Sequence, residues 1–351
     1  MVQANRSIRD EGRDPEVGDG TSETSVTATE QSSTSVMANG PLRRWGIAVG
    51  VIVAVLVLAS VSEFVAESLV IGATENAPLA LAALGFALLY RLTGLLNVAY
   101  AETVTLGGYF GVWLNSAFGW GFAVAVIPAG ILSGLLSVAT YLIVFRVAKE
   151  RRVGPLETIA ISFGLAIFLR HALQFVFGFQ TRAFEVSPPA PVQVFGVGVP
   201  TFRLLALASV AILSILIYQF IQRTSYGLQI RALASNEGLA QASGVQPLNV
   251  TLLIWFVAGM AGGLSGAFLG VGSSVSPLLG ARQLLLLLLV VLVGGIWGLL
   301  GVVWVAVATG IVLTGLTLQL GDSLWAQFIL ILSFLVVLKL RGKRLTQGAK
   351  V

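Results

Sequence analysis

The sequence contains no cysteine and a single histidine, His171, so disulfides and clusters of thiolate or imidazole metal ligands are excluded. Charge is scarce as well. Asp, Glu, Lys and Arg make up 11% of the 351 residues, against about a quarter in an ordinary soluble domain. Because so few charges cannot cover a globular surface, the composition argues against a typical soluble protein.

Motifs for catalysis and nucleotide binding are also missing from the sequence. No Gly-x-x-x-x-Gly-Lys-Ser/Thr phosphate loop occurs, so the chain cannot bind ATP by that device. No Gly-x-Ser-x-Gly nucleophile segment and no His-Glu-x-x-His metal motif occurs, which disfavours an intramembrane enzyme. We therefore predict no catalytic residues, no metal and no cofactor, and any ATP hydrolysis must belong to another subunit.

Apolar residues and glycine dominate the chain instead. Hydrophobic residues make up 56% of it and 40 residues are glycine, and the mean hydropathy is +0.91. Small residues let membrane helices approach closely and permit breaks in helices that line a cavity. The sequence therefore predicts an all-α, polytopic transmembrane bundle with broken or re-entrant helices.

Two regions differ in composition. Residues 1–40 are rich in Ser and Thr and carry seven acidic residues against three arginines, which predicts a disordered cytoplasmic tail. This tail lacks an apolar core, so we do not interpret it as a signal peptide. Residues 41–351 form the predicted transmembrane domain, whose basic excess lies beside apolar segments. That position indicates cytoplasmic ends of helices rather than nucleic-acid binding.

Apolar segments recur along this domain and are judged against the about 20 residues that a crossing helix needs. The penultimate one is too long for one crossing, and its glycine-rich centre predicts a break or a re-entrant pair. The predicted segments are 45–61, 69–90, 95–117, 122–147, 158–179, 202–221, 250–272, 284–320 and 324–340.

Basic clusters at 43–44, 146–152, 223–231 and 339–350 indicate which ends face the cytoplasm. Their spacing is consistent with eight to ten crossings and with both termini in the cytoplasm. The proline-containing loop 180–200 then lies outside, as a simple connector or as an ordered lid or docking surface.

The segment 223–247 is too polar to insert into a membrane, and its pattern predicts a pair of short helices. Small residues there would let another surface approach the backbone, and Arg231 offers a charge-assisted contact. The pattern resembles the coupling loop of branched-chain amino acid ABC transporter permeases, the Liv-type inner-membrane permeases. The matching positions are Gly227, Arg231, Ala232, Asn236, Glu237, Ala240 and Gly244. The resemblance implies that this loop contacts the ATP-hydrolysing subunit.

Two further segments are similar to the same family. Residues 94–102, Gly-Leu-Leu-Asn-Val-Ala-Tyr-Ala-Glu, are similar to its Gly-Leu-Ile-Asn-Phe-Ala-His-Gly-Glu segment, and residues 294–301 resemble its Gly-Gly-Ile-Gly-Ser segment. The departures are Tyr100, Ala101 and the pair 297–298. The resemblance places these segments beside the translocation pathway, with Asn97, Tyr100, Glu102, Gly294 and Gly295 as its candidate residues.

The resemblance implies a permease subunit of an ABC importer for branched-chain or related small amino acids. Its expected partners are ATP-hydrolysing subunits, a second permease that forms a heterodimer with it, an extracytoplasmic solute-binding protein and membrane lipid. Nucleic acid is not an expected partner. Urea or short amides are alternative solutes. A proton-coupled secondary transporter is an alternative class, with Glu102 as proton carrier, but the 223–247 loop has no obvious role in it.

Charged side chains within the predicted spans need an explanation, because an ionised residue at the bilayer centre costs roughly 2.5–3.5 kcal/mol. Glu102 either lines or gates the pathway with Asn97 or is a structural glutamate between helices. Arg170 either reaches the interface along its aliphatic stem or pairs with a carboxylate, that of Glu102 or of a solute. The glycine-rich run 258–267 predicts close helix packing.

Overall fold

The computed structural model describes residues 63–94, 96–185, 191–295 and 298–345. The predicted tail at 1–40 and the predicted span at 45–61 lie outside this part of the chain, as do Leu95, Ile296 and Trp297 of the two family segments. All described residues belong to one compact unit.

Helices make up nearly all of the described part. A π-helical turn, Tyr141–Phe145, joins the helices Phe122–Thr140 and Arg146–Glu150. The helices are α1 Glu63–Glu75, α2 Ala77–Thr93, α3 Tyr100–Phe118, α4 Phe122–Thr140, α5 Arg146–Glu150, α6 Pro155–Phe177, α7 Thr201–Arg223, α8 Ser225–Ser235, α9 Glu237–Ala242, α10 Pro247–Gly272, α11 Leu279–Gly294, α12 Leu299–Leu320 and α13 Ser323–Leu345.

Among the described residues, five helices are long and apolar enough to cross a membrane: the α4–α5 unit, α6, α7, α10 and α12. The bent pair α1–α2 makes a sixth crossing if it counts as one span, and α11 and α13 contribute shorter apolar stretches. The predicted polytopic bundle is confirmed, including the break in segment 284–320, which separates α11 from α12. The number of crossings stays a prediction.

The predicted span 69–90 is not one straight helix. It is divided at Asn76 into α1 and α2, which meet at an angle of 47°. Pro78 lies in the first turn of α2, where its missing N–H is tolerated, whereas inside a continuous helix it would remove a hydrogen bond. The sequence contained this signal, but the apolar run on both sides obscured it.

The helix α10 lies at the centre of the bundle, and α2, α3 and α4 pack around it. Glycines make this packing possible. A Cβ atom at Gly266 would collide with the carbonyl oxygen of Val104 on α3, and one at Gly263 would collide with Ser133 on α4. The predicted close packing along 258–267 is therefore confirmed.

The helix α3 begins later than the predicted span 95–117, because residues 96–99 are not helical. It is also not among the helices that are long and apolar enough to cross a membrane. Most of its residues from Tyr100 to Asn115 are buried against other helices. Since this helix is shielded from lipid, it can carry more polar side chains than a span exposed to lipid.

The segment 180–200 contains a short antiparallel hairpin, Val192–Val194 with Val197–Val199, which the all-α prediction did not include. Its two-residue turn, Phe195 and Gly196, has positive φ at both positions, as a type I′ turn requires. Arg182 of the same segment forms an isolated antiparallel bridge with Val275, which precedes α11. The segment is thus ordered at these positions, and its predicted role as lid or docking surface stays a prediction.

Candidate functional site

The helices α8 and α9 form the predicted helix pair between α7 and α10. Each begins with a capping side chain. The Thr224 hydroxyl accepts a hydrogen bond from the Gly227 N–H at 3.0 Å, and Asn236 Oδ1 accepts one from the Leu239 N–H at 3.0 Å. Because these caps satisfy otherwise free backbone donors, the sequence itself stabilises both helix starts.

Several residues of this loop that were predicted to contact a partner protein make contacts within the chain instead. The space beside Gly227 is filled by the carbonyl oxygens that end α7, so a foreign surface does not approach there as we expected. The Arg231 guanidinium donates to the carbonyl oxygen of Ile221, also at the end of α7. Ala240 is buried, and Gly244 has φ +87°, a conformation that favours glycine.

Three large apolar side chains of the pair are exposed. Leu228 and Leu239 are 61% and 67% exposed, and Tyr226 is exposed as well. These three side chains put exposed apolar surface on a segment that is otherwise polar. The family pattern did not include these side chains. Their apolar character within a polar segment was the only feature of the sequence that could have indicated a contact surface.

A cavity of about 230 Å³, which we call the α9 cavity, lies behind these helices. Its lining includes Asn97 from the non-helical segment 96–99, Lys149 of α5, Glu237 of α9 and Trp255 of α10. Lys149 Nζ lies 2.6 Å from Glu237 Oε1, so an ion pair links α5 to α9. Asn97 is one of the candidate pathway residues, and Glu237 is one of the candidate coupling residues. Both line this cavity.

A larger cavity of about 810 Å³, the α1 cavity, lies where α1 and α2 are divided. Its lining includes Glu75, Asn76, Arg203 and Arg282. Arg203 Nη2 is 3.3 Å from Glu75 Oε1. Arg282 is exposed and forms no ion pair with any residue of the described part. Sequence reasoning missed this site, although the Asn76-Ala77-Pro78 break was a readable signal.

The remaining candidate pathway residues do not converge on one place. Tyr100 is buried, and its hydroxyl lies 3.0 Å from the carbonyl oxygens of Ala82 and Ala258, so it bridges α2 and α10. Gly294 packs against the start of α12 near Val302, and neither it nor Gly295 lines the α9 or the α1 cavity. The structure thus separates residues that the family segments grouped.

Glu102 forms an ion pair with Arg170 of α6. Glu102 Oε1 accepts hydrogen bonds from Arg170 Nη2 at 2.6 Å and Nε at 3.1 Å. The Glu102 side chain is 1% exposed and that of Arg170 is 26% exposed. Of the two explanations for Arg170, pairing with Glu102 is therefore the one that the structure shows.

The non-helical segment 96–99 is held by a residue that sequence reasoning missed. The Val98 N–H donates to Ser162 Oγ at 3.2 Å, and that hydroxyl donates to the Ile159 carbonyl oxygen at 2.8 Å. Asn97 Oδ1 is buried without a hydrogen-bond partner in the described part of the chain, so this atom does not hold the segment. Ser162 of α6 has that task instead.

Membrane transport proteins often use a polytopic bundle with divided helices and internal cavities. Residues 68–338 match the family described as branched-chain amino acid transport system / permease component, and the chain belongs to this family. It is a multi-pass membrane protein and the permease component of an ABC transport system, not itself an enzyme. The resemblance read from the sequence is thereby confirmed, and the proton-coupled carrier is disfavoured.

The curated relatives include a probable branched-chain amino acid transport permease protein LivH from Methanocaldococcus jannaschii. It is 25% identical over 227 residues, which cover 62% of this chain and 70% of the relative. Among solved structures, PsaBC from Streptococcus pneumoniae in complex with a Fab aligns with a TM-score of 0.44 and 14% identity, over 79% of this chain and 94% of that one. Membership of the ABC permease family implies a partner ATPase and a solute-binding protein.

Proposed function

We propose that this permease imports branched-chain or related small amino acids across the cytoplasmic membrane, and that the α1 cavity receives the solute. The observation that carries this proposal is the Arg282 guanidinium, which lines the cavity without an ion-pair partner among the described residues. A guanidinium binds a carboxylate in a bidentate geometry. The cavity also contains the Glu75 carboxylate, which pairs with Arg203 at 3.3 Å but is half exposed, so that it can also contact an ammonium group.

This charge pattern separates the candidate solutes. A zwitterionic amino acid has one group for Arg282 and one for Glu75, whereas urea and short amides carry no charge. Apolar residues such as Phe202, Leu286 and Ile331 complete the cavity lining and suit an aliphatic side chain. The α1 cavity therefore favours amino acids over urea and short amides.

Arg282→Gln is expected to reduce leucine uptake at subsaturating concentration about tenfold or more, because hydrogen bonds to a charged group contribute about 1.5–3 kcal/mol. Uptake of radiolabelled leucine into proteoliposomes that contain the complete transporter measures this. Arg151→Gln, the same change at an exposed turn outside both cavities, is the matched control. Equal uptake by Arg282→Gln and the control would remove Arg282 from the solute site.

We further propose that residues 223–247 contact the ATP-hydrolysing subunits from the cytoplasm, through Leu228, Leu239 and Tyr226. Of the candidate coupling residues, Arg231, Ala232, Asn236, Glu237 and Gly244 join this contact, whereas Gly227 and Ala240 are buried within the chain. Basic residues at 146–152 and 223–231 support this orientation, which would also place both termini in the cytoplasm. The solute-binding protein then docks on the opposite membrane face, and a second, different permease faces this one. The acidic tail 1–40 belongs to the cytoplasmic side in this arrangement.

Leu239→Asp is expected to leave the permease folded but to abolish ATP-driven uptake, since this side chain is exposed and a buried carboxylate in an interface is costly. Leu233→Asp is the matched control in the same loop: Leu233 is buried, so its variant should fail to fold. Co-purification of the ATPase, together with size-exclusion profiles, separates the two effects.

Full coupling by folded Leu239→Asp would contradict the docking surface. Arg231→Glu is also expected to uncouple transport from ATP hydrolysis, but it is a less selective test. The guanidinium of Arg231 binds a carbonyl at the end of α7, where a carboxylate would be repelled by the helix dipole. Its loss would therefore disturb the loop as well as the interface.

A further inference from the structure

The helix α6 lies at the edge of the bundle. Of the five helices that are long and apolar enough to cross a membrane, it is the least buried within the described part of the chain. Its buried residues, Thr158, Ser162, Ala166 and Leu173, follow one face, and the helix packs against α3. The opposite face therefore meets either lipid or another membrane protein.

This outer face of α6 carries small residues and the single histidine. Ala160, Gly164, Ile167 and His171 are all exposed, and at 3.6 residues per turn they fall within a sector of about 60° opposite the buried face. A Cβ atom at Gly164 would meet no atom of the described chain within 4 Å. Small residues four positions apart let a second helix approach closely within a membrane.

His171 is a polar side chain surrounded by exposed apolar ones. Phe168 precedes it, and Phe175 and Val176 follow it at 91% and 71% exposure, so the apolar stretch of α6 extends past it on both sides. Its Nδ1 lies 2.9 Å from Gln174 Oε1, and its Nε2 forms no hydrogen bond with another described residue. Ionisable side chains within spanning helices almost always face protein or a water-filled cavity. His171 lines neither the α9 nor the α1 cavity.

The neighbouring ion pair points to the same side of the bundle. The Arg170 side chain is 26% exposed, whereas that of Glu102 is 1% exposed, so the guanidinium is the member of the pair that faces outwards. Contact between a charged guanidinium and lipid within a span is unfavourable. A protein neighbour on this side would exclude lipid from Arg170 and give His171 Nε2 a hydrogen-bond partner.

We propose that the outer face of α6, defined by Ala160, Gly164, Ile167 and His171, is the surface on which the second permease subunit packs. The occupant is a membrane helix, because the face lies within the apolar stretch of a spanning helix. The ATPase and the solute-binding protein dock at the two membrane surfaces, so among the proposed partners the second permease alone can cover it. The inference rests on the proposed function, which includes two permeases.

Spin labels test this surface cleanly, since the chain contains no cysteine. Ile167→Cys places a nitroxide near the middle of α6, and Ile212→Cys places the matched control near the middle of α7, where Ile212 is exposed as well. Collisions with oxygen report lipid, and collisions with a water-soluble nickel chelate report water. Both labels should be accessible to oxygen in the chain alone, with one copy in each nanodisc. In the complete transporter, this accessibility should be lost at position 167 and unchanged at position 212.

Two substitutions test whether the same face holds the permeases together. His171→Leu removes one interhelical hydrogen bond and should weaken retention of the second permease about threefold to tenfold. Gly164→Val should remove most of the second permease from the purified complex, because the added methyl groups keep the two helices apart. The melting temperature of each chain alone should stay unchanged, which separates loss of pairing from loss of folding.

An oxygen-accessible label at position 167 of the complete transporter would overturn the proposal, and so would a label accessible to the nickel chelate. Equal loss of oxygen accessibility at positions 167 and 212 would remove the assignment to α6. Full retention of the second permease by both substituted chains would also contradict it. ATP-driven leucine uptake is measured on the same transporter: uptake with an oxygen-accessible label at position 167 refutes the α6 surface alone, whereas absence of uptake by the wild type refutes the proposed function.

Discussion

Arg170→Leu is expected to lower the melting temperature strongly, because it leaves the Glu102 carboxylate buried without its cation. Glu102 is 1% exposed and pairs with Arg170 at 2.6 Å. Removing one member of a buried ion pair costs about 3–5 kcal/mol, and a native domain has a total stability of only about 5–15 kcal/mol. The measurement is the melting temperature of the purified chain in detergent, with the monodisperse yield as a second readout.

The double variant Glu102→Leu with Arg170→Leu is the matched control. Replacement of a complete buried pair by apolar residues is often neutral or stabilising, so the double variant should recover most of the melting temperature. A single variant as stable as the wild type would show that the pair has little energetic role. Uptake by the stable double variant then separates the two explanations for Glu102: unchanged uptake indicates a structural glutamate, and lost uptake indicates a part in the pathway.

Gly266→Val is expected to abolish folding, because its side chain would meet backbone. A Cβ at Gly266 would collide with the carbonyl oxygen of Val104, and the amide nitrogen of Gly108 would lie 2.9 Å from it. Overpacking typically costs about 1–3 kcal/mol where side chains can move. The cost is higher here, because α3 and α10 would have to separate along their contact.

Gly164→Val is the matched control for this prediction. Gly164 lies within α6, with no atom of the described chain within 4 Å of the added Cβ, and should accept valine with little change in yield or melting temperature. Accumulation of folded Gly266→Val at the level of this control would contradict the close contact of α3 with α10.

The sequence predicted well those features that depend on local pattern. The long apolar segment 284–320 carried its break in its own glycines, and the structure divides it between Gly294 and Leu299. The helix pair within 223–247 likewise follows from local capping by Thr224 and Asn236. In both cases the signal lies in residues within or beside the segment itself.

The grouping of site residues was predicted less well, because side-chain partners depend on which helix faces meet. Gly227 was interpreted as an opening for a partner protein, but α7 fills the space. Tyr100 was placed on the pathway, but it bridges two helices. A small or polar residue has the same sequence pattern whether it faces a cavity, a partner or a neighbouring helix.

By itself, the sequence determined that this chain needs lipid as solvent, that its helices are divided and that it resembles ABC permeases, since composition and short motifs carry that information. Only the tertiary structure decided that Glu102 meets Arg170, 68 positions away, and that the α1 cavity combines residues from Ile71 to Ile331. The physical reason is that composition reports the solvent that each segment prefers, whereas binding sites arise where the faces of several packed helices converge.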